Sequence, residues 1–254
     1  MIVKRYFIYI AFKGTAYHGW QQQPNGISVQ EVLTNAMNMI LRSKINLVGA
    51  GRTDTGVHAK SMVAHFDYEG TINEQSFLSH LNCVLPKDIA VFKLIEVKPT
   101  AHARFDAITR KYEYHVVTQK NVFKTDITLL INKKIDFQLM NEAAQLLKKY
   151  NDFTSFSKLH THVKTNYCTI YQAEWQQQDE EWIFIVEANR FLRNMVRSIV
   201  GTLFEIGFKK INIEQFKEII EAKNRCKAGM SVPAKGLLLS EIKYPEKIFV
   251  VENN

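Results

Sequence analysis

Proline and glycine are scarce in this chain, five and eleven among 254 residues. That scarcity excludes a collagen-like repeat, long disordered arms and low-complexity tracts. There are three cysteines, Cys83, Cys168 and Cys226, far apart and odd in number. They make neither a disulfide framework nor a zinc-ligand pattern, and they point to a reducing compartment, the cytoplasm. No apolar run approaches the roughly 20 residues of a membrane span, so no membrane partner is expected. The first dozen residues carry two basic side chains and then alternate, with no small-residue cleavage site after them, which does not read as a signal peptide. Acidic side chains are outnumbered, 25 against 33 Lys and Arg, for a formal charge of +8. Such an excess attracts polyanions, although a basic enzyme acting on a small molecule fits the same balance. What is present is ordinary for a globular protein: 46% apolar residues, 11% aromatic and 23% charged. The length buries a core without a metal clip or disulfide.

Residues 4–12 alternate loosely around Tyr6, Ile8 and Ile10 and read as a strand. Ser28 with Glu31 three positions on forms a capping box for a helix whose apolar members include Leu33, Ala36, Met37 and Ile40. Strands are expected near 46–48, 62–68 and 89–97, with a helix at 74–82. A second series follows: strand 110–117, helix 137–150, strands 165–175 and 182–188, helices 191–206 and 214–222, and a closing strand 237–242. Strands and helices mix without regular βαβ spacing. The expected class is α+β, two similar mixed units at residues 1–105 and 106–254, with antiparallel sheets flanking a central cleft.

The most informative segment is Gly49-Ala50-Gly51-Arg52-Thr53-Asp54-Thr55-Gly56-Val57-His58-Ala59. Three glycines in eight residues permit unusual backbone angles or close approach by a ligand. The lysine and spacing of a phosphate loop are absent, and no strong helix follows as a dinucleotide fingerprint requires. Two readings stay open: a tight turn in which Asp54 only caps backbone N–H groups, or a carboxylate presented to substrate on a rigid turn. His18, His58, His65 and Asp54 have no recognised ligand spacing, so no metal is expected.

The segment Gly51 to Ala59 resembles the signature of TruA-type tRNA pseudouridine synthases. The likeness continues in order through Gly14-Thr15, Tyr17 and Gly19-Trp20-Gln21-Gln22-Gln23, then Leu81-Asn82, Leu85-Pro86 and Asp88-Ile89. His102-Ala103-Arg104-Phe105, Arg110-Lys111-Tyr112-Glu113-Tyr114 and Asp152-Phe153-Thr154-Ser155-Phe156 follow. Asn189 to Arg197, and Pro233-Ala234 with Gly236-Leu237, close the series. The likeness covers nearly the whole chain. Lys13 stands where the family usually has aspartate, Met62 where it often has glutamine, and Asp106 where serine is common.

The resemblance implies the pseudouridine synthase fold and a cofactor-independent isomerase acting on uridines in the anticodon arm of tRNA, as a homodimer. It makes Asp54 the catalytic carboxylate, Arg197 the guanidinium that keeps it ionised against desolvation, and Tyr112 the ring against the target base. Pattern alone also fits a core tyrosine at 112. On one continuous helix, at about 100° per residue, Arg190, Arg193 and Arg197 fall within a wedge of about 60° bordering the apolar face. Such arginines meet a polyanion or snorkel to water. Arg52 suits support of the turn with a phosphate contact, and His58 a structural role. Lys13, Arg190 and Arg193 are candidates for RNA contact. Two other classes remain: an RNA-binding module without turnover, and a small-molecule hydrolase using Asp54 and His58.

Overall fold

The computed structural model of the chain describes residues 2–158 and 164–250. Two compact units emerge, and they are not two consecutive halves. One comprises residues 1–108 together with 239–254, the other residues 109–238. The boundary read from the sequence falls near the first crossing, but the final segment returns to the first unit.

In the first unit, β1 (Val3–Phe12), α1 (Val29–Leu41), β2 (Val48–Gly49), β3 (His58–Glu69), α2 (Glu74–Val84) and β4 (Ile89–Val97) follow one another. Side chains set the helix starts: Ser28 Oγ accepts the Glu31 N–H at 3.3 Å, and Asn73 Oδ1 accepts that of Ser76 at 2.9 Å. Strand β1 is central, antiparallel to both β3 and β4, and β2 lies along β3. Its two faces are both covered. Tyr6 stacks on Phe66 at 5.7 Å, and Phe66 in turn lies 6.5 Å from Phe77 of α2. On the other face Phe7 meets Tyr244 edge-on at 5.0 Å and Phe249 at 6.5 Å, both from the returning segment. A strand buried on both sides loses clean alternation, which is why the pattern around Tyr6, Ile8 and Ile10 is only loose in the sequence.

The second unit holds β5 (Thr109–Val117), β6 (Leu129–Leu130), α3 (Phe137–Leu146), β7 (Ile170–Gln178), β8 (Glu181–Ala188), α4 (Met195–Gly207) and α5 (Ile213–Glu221). Strand β8 pairs antiparallel with both β5 and β7, and the short β6 adds a parallel pairing to β5. Phe137 of α3 stacks flat on Trp182 at 4.1 Å, and Trp175, Phe184 and Phe204 pack beside it. Strand β9 (Leu237–Lys243) then carries the chain out of this unit and beside β3. Among the described residues no helix is long and apolar enough to cross a membrane.

Several expected boundaries move: β7 begins at Ile170 and not at 165, and α3 ends at Leu146 with a 3-10 turn after it. Strand β3 begins at His58, four residues before the expected start, because β1 extends the pairing to Phe12 opposite Ala59. Helix α4 begins at Met195, not at residue 191. Asn194 sits in the left-handed region with φ 65°, and a turn from Leu192 O to Met195 N precedes it. Arg190 and Arg193 therefore lie outside the helix, and the shared wedge with Arg197 does not exist.

Candidate active site

Between β2 and β3 the chain makes the turn that carries Arg52 and Asp54, and His58 opens β3 directly after it. The turn's backbone is clasped by residues 14–20. The Gly14 N–H donates to buried His58 Nδ1 at 3.0 Å, the Trp20 N–H to Thr53 O at 3.4 Å, and the Gly56 N–H to Tyr17 O at 3.4 Å. Two glycines permit this approach. A Cβ on Gly14 would lie 2.0 Å from Val57 O, and one on Gly19, whose φ is +85°, would lie 2.3 Å from Thr53 O. Trp20 fills the space beneath and is fully buried. The result is a turn that cannot be re-formed without moving two stretches of chain. Asp54 is half-buried on it, while Arg52 and Thr55 are exposed. His58 is 3% exposed and its Nδ1 is occupied as an acceptor. That bond ties the His58 ring to the backbone at Gly14. Lys13 is exposed, its N–H held by Asp88 O at 2.9 Å.

In the second unit Tyr112 and Tyr114 share one face of β5. Tyr112 is half-buried, and its ring meets the edge of Phe191 at 5.1 Å. Tyr114 is fully buried and donates its hydroxyl to Pro233 O at 2.9 Å. Burial pushes its phenol well above the usual range, and the Arg197 guanidinium draws it partly back. Arg197 is the third residue of α4. Its Nε donates to Val232 O at 2.7 Å, and its own carbonyl accepts the Val232 N–H at 3.1 Å. Tyr114 and Arg197 thus hold adjacent carbonyls of one segment. That segment is laced further along α4. Asn194 Nδ2 donates to Ser231 Oγ at 2.6 Å, and the Gly229 N–H donates to Thr202 Oγ1 at 2.9 Å. A Cβ on Gly201 would fall 1.8 Å from Met230 O. The sequence reading missed this strap over residues 229–233. The available signal was a glycine inside an apolar helix, matched by Gly229 and Pro233 downstream.

Arg190 is half-buried and donates to Thr165 O at 3.3 Å, and exposed Arg193 accepts the Lys158 N–H at 3.1 Å through its carbonyl. They flank the start of α4 and do not line it. Arg52 and Asp54 are therefore gathered on one turn of the first unit, with His58 directly after it. In the second, Tyr114 and Arg197 are linked through the strap, and Tyr112 shares the strand face of Tyr114. Among the described residues no group of three His, Cys, Asp or Glu side chains is placed to hold a metal ion.

A family profile described as tRNA pseudouridine synthase matches residues 8–106 and 143–245, taking in the Asp54 turn, α4 and the strap. The chain belongs to the TruA-type tRNA pseudouridine synthase family. It is 56% identical over 251 residues to the tRNA pseudouridine synthase A of Bacteroides fragilis, across 98% of this chain and 100% of that protein. The protein of the same name from Parabacteroides distasonis is 52% identical over 252 residues, 99% and 100% of the two chains. That of Clostridium acetobutylicum is 39% identical over 237 residues, 92% and 97%. The chain is an enzyme of this TruA-type family, and its α+β architecture is the family's fold. Tyr112 lies between the two profile-matched stretches.

Proposed function

We propose that this enzyme converts uridine to pseudouridine in the anticodon arm of tRNA, with Asp54 as the essential carboxylate. The observation that carries the reading is the clasped turn. A half-buried aspartate stands on backbone fixed by two glycine close contacts and a buried histidine, inside a chain of this family. Pseudouridine formation breaks the C1′–N1 bond, turns the uracil, and forms a C1′–C5 bond. The proton lost from C5 balances the one gained at N1, so neither redox chemistry nor an energy source enters. Asp54 either attacks C1′ or removes a ribose proton, and both need it ionised. Arg197 is proposed to stabilise that charge, and Tyr112 to hold the base while it rotates. A flat ring suits this because stacking imposes little in-plane registry. The uridine must first leave its stack, at a cost of a few kcal/mol recovered on binding.

Arg52 is proposed to support the turn and meet a phosphate, and Lys13, Arg190 and Arg193 to track the RNA backbone. We further infer a cytoplasmic homodimer that uses neither metal nor cofactor. The test is tRNA from a strain lacking the gene, mapped for missing pseudouridine at nucleotide resolution and restored with purified protein. Restoration in the anticodon arm supports the reading, and binding without restoration would leave an RNA-binding module. Asp54→Asn is expected to bind tRNA nearly as well as wild type and form no pseudouridine. Persistent product would remove Asp54 from the chemistry.

A further inference from the structure

The loop between β4 and β5 presents Phe105 with 74% of its surface exposed. Single exposed apolar side chains are common on surfaces. This one is unusual in being held still. The Ala103 N–H donates to His65 Nδ1 at 3.2 Å, and Ala103 O accepts the Tyr244 hydroxyl at 2.6 Å. Arg5 donates to Ala101 O at 3.0 Å, Asp106 Oδ2 accepts the His102 N–H at 2.7 Å, and the Arg104 N–H donates to His102 Nδ1 at 3.1 Å. Each contact fixes backbone on one side or the other of the ring, and none involves the ring itself.

The ring is also the open end of a row of three tilted rings. His65 is buried and lies 4.5 Å from His102, whose ring lies 4.3 Å from Phe105. Burial depresses both imidazoles, His65 to about 4. Arg104 places its guanidinium 5.8 Å from the Phe105 centroid. An exposed ring that ends a row of tilted rings beside a cation fits one kind of ligand best: another flat ring attached to a negative charge. On a chain of formal charge +8, that is a nucleotide.

We propose that Phe105 is a stacking platform for an unpaired base of the substrate tRNA, with Arg104 adding positive charge for the adjoining phosphate. The proposal rests on the tRNA-modifying reading above and adds a binding residue to it. Stacking tolerates any base, so the platform would hold loops of differing sequence in one place.

The test compares intact wild type with Phe105→Ala, Phe105→Tyr and Phe105→Trp. The alanine variant is expected to bind tRNA on the order of 5- to 100-fold more weakly, the loss found when one base–aromatic stack is removed. Its melting temperature and the slope of its affinity against salt should stay close to wild type, because the ring is 74% exposed and no charge is lost. The tyrosine variant should regain most of the affinity, and tRNA should quench the added tryptophan fluorescence in Phe105→Trp. Wild-type affinity in the alanine variant, with wild type active, would overturn the proposal. So would weakened binding accompanied by a changed sedimentation coefficient, which would make the ring a contact between copies of the chain. Wild type that neither binds tRNA nor forms pseudouridine would sink the broader reading first, and the platform with it.

Discussion

Single residues divide here into those that hold the turn and those the turn presents. His58 is of the first kind. Its Nδ1 is the acceptor for the buried Gly14 N–H, so His58→Ala leaves that donor unsatisfied at a cost of about 1–3 kcal/mol. At roughly 2–4 °C per kcal/mol for a chain of this size, calorimetry should show a melting temperature lower by several degrees. Turnover measured well below that temperature should stay near wild type. A collapse of kcat at an unchanged melting temperature would instead give His58 a part in the chemistry. The motif around it was legible because glycines and a lone acid in sequence mark a constrained turn. Which contacts constrain it was not, since Gly14 and Gly19 lie far upstream and their close approach is a tertiary fact. The departures from the family pattern resolve similarly. Asp106 accepts the His102 N–H, a bond that a serine hydroxyl at the same place can also accept, and Met62 is buried within β3.

Elements were legible where the signal is local. Strand β4 coincides with the expected 89–97, and the cap of α1 sits where Ser28 places it. The start of α4 was not legible, because residues 191–194 have acceptable helical character and only the left-handed Asn194 breaks the run. The strap on α4 carries a prediction of its own. Gly201→Ala puts a methyl group against the Met230 carbonyl, which is backbone and cannot rotate away. The strap must lift, and the Val232 anchor of Arg197 lifts with it. Stability and kcat should fall together, whereas an alanine at exposed Glu218 on α5 should change neither. On β5, His115 lies between Glu181 at 2.9 Å and Glu113 at 3.3 Å. Burial alone would lower its pKa, but the bonds and charges of the two glutamates outweigh this and raise it. A raised folded pKa means a stabilisation fully present below the unfolded value near 6.5 and lost as pH rises through the folded one. Urea titrations should therefore show the gap between wild type and His115→Gln closing from pH 6 upward. A gap that widened with pH would contradict this.

At the scale of the molecule the sequence reading and the structure part over where the first unit ends. Composition changes little near residue 105, so the strand series alone suggested a cut there. The segment from 239 onward belongs to the first unit for reasons that no local pattern carries. Tyr244 and Phe249 cover Phe7 of the central strand. The Lys98 N–H donates to Ile248 O at 2.8 Å, the Val250 N–H to Glu96 O at 3.2 Å, and the Ile108 N–H to Lys243 O at 2.8 Å. Without that segment Phe7 keeps only the His65 ring on that face, and the end of β4 keeps only its pairing to β1. A fragment of residues 1–105 should therefore show strand and helix signal without a cooperative thermal transition. Residues 1–108 joined through a short Gly/Ser linker to 239–250 should regain a sharp one. Replacing Tyr244 by alanine in that fusion should lower its midpoint, because the ring contact and the hydroxyl bond to Ala103 O go together. If the bare fragment melted as sharply as the fusion, the returning segment would be an ornament on a unit complete without it, and the division of the chain at 108 and 239 would lose its physical meaning.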